Sequence, residues 1–187
     1  LAFRARVKDV DVHHEGITRV TARDFRYAKE LGYAIKLLAI ASNQDGTVQA
    51  RVHLTLLPTT VMMANVDGVL NAVEIETDLA GRVLFHGPGA GSLPTTSAVV
   101  ADIVDIARNL AGNVRPPAPP ALSEDVRVRP LPELETRYYL RLTVRDRPGV
   151  LAQIAGILGD MQISIASVLQ KERDEETHRA EIVLMTH

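Results

Sequence analysis

The chain has 187 residues, of which 46% are hydrophobic and 24% charged, with a formal net charge of -2. That is the balance of a globular protein with room for one medium domain and a small one, and it disfavours a protein held to nucleic acid by its phosphates. The absence of cysteine excludes a disulfide framework, a thiolate metal site and a cysteine nucleophile, and fits a reducing compartment.

In chain order, Arg4 to Val12 alternates loosely and is predicted as a strand. Thr21 opens a helix, because Asp24 follows a capping hydroxyl by three residues. Phe25, Ala28, Leu31 and Tyr27 then share a face, and Gly32 ends the helix. Tyr33 to Ser42 and Thr47 to Leu57 read as paired strands around the Asn43 to Gly46 turn. In the second of these, Val48, Ala50, Val52, Leu54 and Leu56 alternate with Gln49, Arg51, His53 and Thr55. Val69 to Thr77 and Arg82 to His86 read as two more strands. A glycine-rich loop, Gly87-Pro88-Gly89-Ala90-Gly91, leads to a helix from about Thr95 to Ala111. Its apolar stripe is Val99, Ile103, Ile106 and Leu110. The apolar run Tyr33 to Ala41 is the longest and is broken by Lys36, so no membrane span is expected.

Six of the ten prolines fall between Pro116 and Pro132. Proline lacks a donor and fixes φ, so this stretch reads as an extended linker. It divides the chain into a first domain, 1–113, a linker, 114–133, and a second domain, 134–187. In the second domain Arg137 to Val144 is a strand and Val150 to Met161 a helix, with Val150, Leu151, Ile154, Ala155, Ile157, Leu158 and Met161 inward. Ile163 to Gln170 and Arg179 to Thr186 are strands joined by a charged turn, Lys171 to Glu176. The order is β-α-β-β. The expected fold class is α+β throughout.

Two loops carry chemical potential. At Gly87 to Gly91 the glycines let a backbone approach a ligand closely, next to a helix N-terminus that favours an anion or polar group; the same glycines also suit a plain sharp turn. At Asp146-Arg147-Pro148-Gly149-Val150-Leu151, Asp146 can cap the following helix, and the free N–H groups there can hold a small carboxylate. A simple helix start explains those residue types equally well. No metal site is expected: His13 and His14 point to opposite faces of a strand. His53 and His86 sit alone, and Glu74 and Glu76 read as a solvent face. No self-sufficient catalytic set is present.

Four blocks in order resemble homoserine dehydrogenase. They are Glu15 to Thr21, Phe25 to Ala41, Ala64 to Val73, and Gly87 to Gly91 with Pro94-Thr95 to Asn109. Residues 137–186, with the Asp146 to Leu151 loop, resemble an ACT domain, a small βαββαβ amino-acid-sensing module. The resemblance implies a mixed-sheet substrate and dimerisation domain with helices on one face, then a ferredoxin-like ACT domain of incomplete βαββ form. It implies NAD(P)-dependent interconversion of L-homoserine and L-aspartate 4-semialdehyde, a step toward threonine, methionine and isoleucine.

In that family the nucleotide-binding domain and the proton-donor lysine lie upstream of the matched region. Lys8, Lys29 and Lys36 do not occupy the lysine's place, so no catalytic residue is assigned here. With a first residue of Leu1 and no further helix and strand after Thr186, the chain reads as a piece of a longer protein, inactive by itself. What the resemblance carries over is the cofactor loop, with Gly91 as the best match and Gly87, Gly89 and Ala90 beside it, toward NADP or NAD. It also implies an effector site between paired ACT modules. That site uses Asp146, Arg147, Gly149, Val150 and Leu151 with Ile163, Ser164 and Ile165 opposite, and its expected ligand is threonine. A homodimer or larger even assembly and a cytoplasmic location follow from the same resemblance, with neither nucleic acid nor membrane as partner. The alternative reading is a non-catalytic amino-acid-binding regulatory or dimerisation module.

Overall fold

A computed structural model describes residues 3–115, 118–124, 126–171 and 178–187. Pro116 and Pro117 of the predicted linker, most of the predicted Lys171 to Glu176 turn and the Leu1 start lie outside the described residues. The chain forms two compact units, Leu1–Ile17 with Tyr33–Arg129 and Thr18–Gly32 with Pro130–His187. This division differs from the one read at the prolines. Residues 18–32 belong with the second unit, and part of the proline-rich stretch belongs with the first.

The first unit is built on a long hairpin. Strand β2 (Tyr33–Gln44) pairs antiparallel with β3 (Thr47–Pro58), with Leu37 opposite Leu54 and Ala39 opposite Val52. The turn works because Asp45 and Gly46 both take positive φ, +50° and +78°, as a primed two-residue turn requires. The short strand β1 (His13–His14) runs parallel to β3 at Arg51 and Val52. The short strand β6 (Arg127–Val128) runs parallel to it at Thr47 and Val48, and Val48 beneath this pairing is buried.

Alternation gives this sheet two unlike faces. One carries Ile35, Leu37 and Ala39 opposite Leu56, Leu54 and Val52. The other carries Gln49, Arg51 and His53, linked by hydrogen bonds from Arg51 Nη1 to Gln49 Oε1 at 2.5 Å and from Arg51 Nε to His53 Nε2 at 2.9 Å.

The predicted strand at Arg4 to Val12 is corrected. Ala5 makes an isolated bridge to Ser123, and Asp9–Asp11 form a 3-10 turn closed by the Asp11 N–H donating to Lys8 O at 3.0 Å. The alternation there is broken by exposed acids, so no continuous apolar side exists to hold a strand down.

A second hairpin pairs β4 (Leu70–Thr77) with β5 (Gly81–Pro88), Asn71 standing opposite Gly87. Helix α2 (Ser92–Ala111) follows and has no buried residue. The apolar stripe read from the sequence is open: Val99, Ile103, Ile106 and Leu110 are all more than half exposed.

The second unit is a three-stranded antiparallel sheet in the order β7-β9-β8, made by β7 (Tyr139–Arg145), β8 (Ile165–Gln170) and β9 (Arg179–Thr186). Helix α3 (Val150–Asp160) connects β7 to β8. Ile157 and Met161 are corrected from inward to exposed, while Val150, Leu151, Ile154, Ala155 and Leu158 are half-buried. The fully buried side chains of the unit are Ile182, Val183 and Leu184 of β9. Neighbours on a strand point to opposite faces, so both faces of β9 are covered.

The second cover is helix α1 (Ala22–Glu30), which buries Asp24, Tyr27 and Ala28. Phe25, read as sharing a face with Ala28, Leu31 and Tyr27, is exposed. The predicted start is present: Asp24 Oδ2 accepts hydrogen bonds from the Thr21 N–H and the Thr21 hydroxyl, both at 2.8 Å. Gly32, at φ +82°, ends the turn that follows.

Candidate functional sites

The glycine loop grows out of the end of β5. The Gly89 N–H donates to Val69 O at 3.1 Å, which draws the loop across the start of β4. A Cβ at Gly89 would fall 1.5 Å from Asn71 Nδ2, so the exposed Asn71 amide occupies the space that this glycine leaves. Gly91 caps α2 at φ +113°, ψ 150°, a conformation that side chains rarely adopt. The first bond of the helix runs from the Thr95 N–H to Gly91 O at 3.2 Å. Pro94 has no N–H, so the helix leaves the Ser92 and Leu93 amides of its first turn unpaired internally. Around Gly87 a Cβ would meet nothing within 4 Å. The loop therefore joins open space, a backbone conformation open to glycine and an amide-rich helix end, an arrangement that can meet a polar ligand group through backbone.

The second site lies at the end of β7. A cavity of about 460 Å³ is lined by Asp146, Arg147, Gly149, Val150 and Leu151, all five first-loop residues expected from the sequence. Val144, Arg145 and Pro148 of the same segment, Gln170 of β8, and Ala180 and Ile182 of β9 complete the wall. Gly149 caps α3 at φ +88°, and a Cβ there would meet nothing within 4 Å. The Asp146 N–H donates to His178 O at 3.2 Å, and the Gln153 N–H closes the first helical turn on Gly149 O at 3.0 Å. Arg145 and Arg147 give the rim positive charge beside one carboxylate, Asp146. A ligand with both a carboxylate and an ammonium group suits that arrangement.

Ile163, Ser164 and Ile165 do not line this cavity. The cavity meets β8 at Gln170, whereas Ile165 begins that strand. At ~3.3 Å per residue the two ends stand roughly 16 Å apart. Ile163 donates its N–H to Leu158 O, and Ser164 O accepts from the His187 N–H. Within one chain the two halves of the expected effector site stay separate.

Sequence reasoning missed a third constellation, between α1 and the face of the small sheet opposite the cavity. Asp24 Oδ1 accepts from the Tyr139 hydroxyl at 3.0 Å and pairs with Arg141 Nε at 3.0 Å. Glu181 accepts from the Tyr27 hydroxyl and from Arg23 Nη1 at 3.1 Å, with Arg141 Nη1 3.7 Å away. Lys171 Nζ reaches Glu30 at 2.5 Å.

Burial alone would raise the Asp24 carboxyl. The Thr21 and Tyr139 hydrogen bonds and the Arg141 charge outweigh it and hold the pKa below the ordinary value. Glu181 is likewise depressed: burial pushes it up, and Tyr27, Arg23 and Arg141 bring it down further. Burial, then the bond to Asp24, pushes the Tyr139 phenol well above its ordinary value, so it remains a donor. One signal for this cover was available: Ile182 to Met185 is an unbroken apolar run, the pattern of a strand buried on both faces.

Among the described residues no group of acids and histidines is placed to hold a metal ion, and no helix is long and apolar enough to cross a membrane.

The first unit thus carries a glycine loop at a helix start, and the second a small sheet with a loop-end cavity. Residues 1–104 match the homoserine dehydrogenase family model, and residues 138–187 match the ACT domain model. The chain belongs to the homoserine dehydrogenase family and carries an ACT domain. It is 43% identical to homoserine dehydrogenase of Neisseria gonorrhoeae and 40% identical to that of Pseudomonas aeruginosa, in each case over all of this chain and 44% of the relative. Among solved structures, a homoserine dehydrogenase from Thiobacillus denitrificans superposes with a TM-score of 0.82 at 43% identity, covering 98% of this chain and 42% of that one. The chain thus spans less than half the length of the relatives it matches.

Proposed function

We propose that this chain is the dimerisation and effector-sensing portion of an NAD(P)-dependent homoserine dehydrogenase, the enzyme that interconverts L-homoserine and L-aspartate 4-semialdehyde. The observation that carries this reading is Gly91. A residue at φ +113° on the N-terminus of a 20-residue helix supports a backbone surface laid against a ligand, in a chain whose family reduces an aldehyde. When bound, the nicotinamide supplies or accepts the hydride. The part assigned to this chain is to close over that end of the cofactor through Gly87, Gly89, Ala90 and Gly91 and to limit water there.

The cavity at Asp146 to Leu151 is the first half of an amino-acid effector site, and threonine, an end product, is its proposed ligand. The α3 amides meet the carboxylate and Asp146 meets the ammonium. Ile163, Ser164 and Ile165 of a second copy supply the opposite wall, since no single sheet brings its two ends together. The assembly is therefore a homodimer or a larger even oligomer, in the cytoplasm.

The test is kinetic, on the whole enzyme with and without Gly91→Val. The reading expects a raised cofactor KM with homoserine binding kept. Unchanged cofactor kinetics would reduce the loop to a turn. A whole enzyme unable to oxidise homoserine with either nucleotide would overturn the assignment.

A further inference from the structure

Helix α1 lies in sequence between β1 and β2 of the first unit, inside the stretch matched to homoserine dehydrogenase. Its buried face belongs to the ACT sheet instead. The two faces of that sheet have different duties. Val144, Ala180 and Ile182 line the effector cavity. Their strand neighbours Tyr139, Arg141 and Glu181 point the other way and hold α1. Arg141 stands four residues before Arg145 on the same strand, and Glu181 lies between the cavity residues Ala180 and Ile182.

The fastening is mostly charged and directional. Asp24 and Glu181 both draw on Arg141, so a small slide of β7 against β9 changes both pairings together. Downstream, α1 runs into β2 through only Leu31 and Gly32.

We propose that α1 is the transmission element of feedback, and that Asp24, Tyr139, Arg141 and Glu181 are positioning residues that convert a shift in the ACT sheet into a shift of the first strand of the dimerisation hairpin. The proposal rests on the reading of the Asp146 to Leu151 cavity as an effector site. An effector that tightens the loop acts on one face of β7 and β9, and α1 reads the other. Coupling of this kind requires only that the two docked arrangements of α1 bind effector unequally.

The test uses the full-length enzyme with Tyr139→Phe and, separately, Glu181→Gln. Both are close to isosteric and lie outside the cofactor and effector loops. Hydrogen exchange without any effector comes first. Transmission predicts exchange about fivefold faster or more in α1 and also in the Tyr33 to Leu38 segment of β2. Changes confined to residues 130–187 and α1, with β2 untouched in both variants, would overturn the proposal.

Threonine titration comes second. Transmission predicts that both variants still bind threonine in the absence of substrate, but with inhibition weakened about fivefold or more. Binding retained together with full inhibition would also overturn it. A parent enzyme showing neither heat nor inhibition with threonine removes the effector reading alone, because the exchange result in β2 still decides whether α1 transmits.

Discussion

Asn71 and Gly89 stand so close that a Cβ on the glycine would lie 1.5 Å from the asparagine's Nδ2. The amide of Asn71 thus fills the space that glycine leaves, and the loop after β5 is set against β4 by this fit. Gly89→Ala must turn the exposed Asn71 side chain away, at a cost of about 0.5 kcal/mol. In an Asn71→Ala background the same substitution should cost little, because the obstructing amide is gone. A double-mutant cycle by denaturant unfolding measures the difference, and equal losses in both backgrounds would contradict the fit.

At Gly91 the obstacle is conformational. Valine at φ +113° is strained by about 1–3 kcal/mol whatever space surrounds it. In the whole enzyme, Gly91→Val should raise the nicotinamide cofactor's KM roughly tenfold, about 1.4 kcal/mol of lost interaction. Steady-state kinetics with the cofactor varied reads this directly.

Acid should release α1 from the ACT sheet. Asp24 and Glu181 have depressed pKa values in the folded chain. Their contribution is therefore present above the unfolded carboxylate range, about 4, and is lost as pH falls through the folded values. Stability of the second unit should decline below about pH 4. Asp24→Asn should cost about 2 kcal/mol at neutral pH and flatten the acid limb. Urea midpoints from pH 7 to pH 3 provide the check, and parallel acid limbs in parent and variant would speak against the assignment.

Assembly should depend on the apolar face of the β2–β3 hairpin. Leu37 is more than half exposed and pairs across the strands with Leu54, in a row continued by Ala39 and Val52. Leu37→Lys places a charge in the middle of that face. Light scattering should show the parent as a dimer or larger even assembly and the variant shifted toward monomer. A monomeric parent at all accessible concentrations would reject the proposed interface.

Gly149 opens the fifth test. Its φ of +88° and the open space where a Cβ would go make Gly149→Asp a strained, negatively charged intrusion beside the proposed carboxylate position. Threonine binding by the full-length enzyme should fall at least tenfold by calorimetry, about 1.4 kcal/mol, with uninhibited turnover retained. Equal heats in parent and variant would leave the cavity without a sensing role.

Local chemistry was legible in the sequence wherever a few adjacent residues decide the outcome. The Asp45-Gly46 turn, the Thr21 to Asp24 helix start and the Asp146 to Leu151 loop all belong to that class. Partnership across long separations was not legible. Asp24 was read only as a capping acid, because nothing near it in the chain announces Tyr139 or Arg141. The same limit explains Phe25, which periodicity groups with Ala28 and Tyr27. Spacing marks an apolar stripe but does not say which sheet will cover it, and here the covering sheet prefers Asp24, Tyr27 and Ala28. In α2 the pattern was read correctly as a stripe, yet no described element lies over it. For Ile163 to Ile165 the obstacle was topological, since two segments on one sheet still sit at its opposite ends.

The second unit takes its cover from residues 18–32, far upstream of its strands. It is therefore not a cassette that a single cut can excise. A graft of residues 130–187 onto another enzyme would arrive with Val183 and the Tyr139–Arg141 face stripped of their lid, whereas a graft that also brought the Thr18 to Gly32 stretch would have to enter its host at two places. Such a domain is inherited with the body of its chain, and engineers who wish to move it will have to transplant the helix as well.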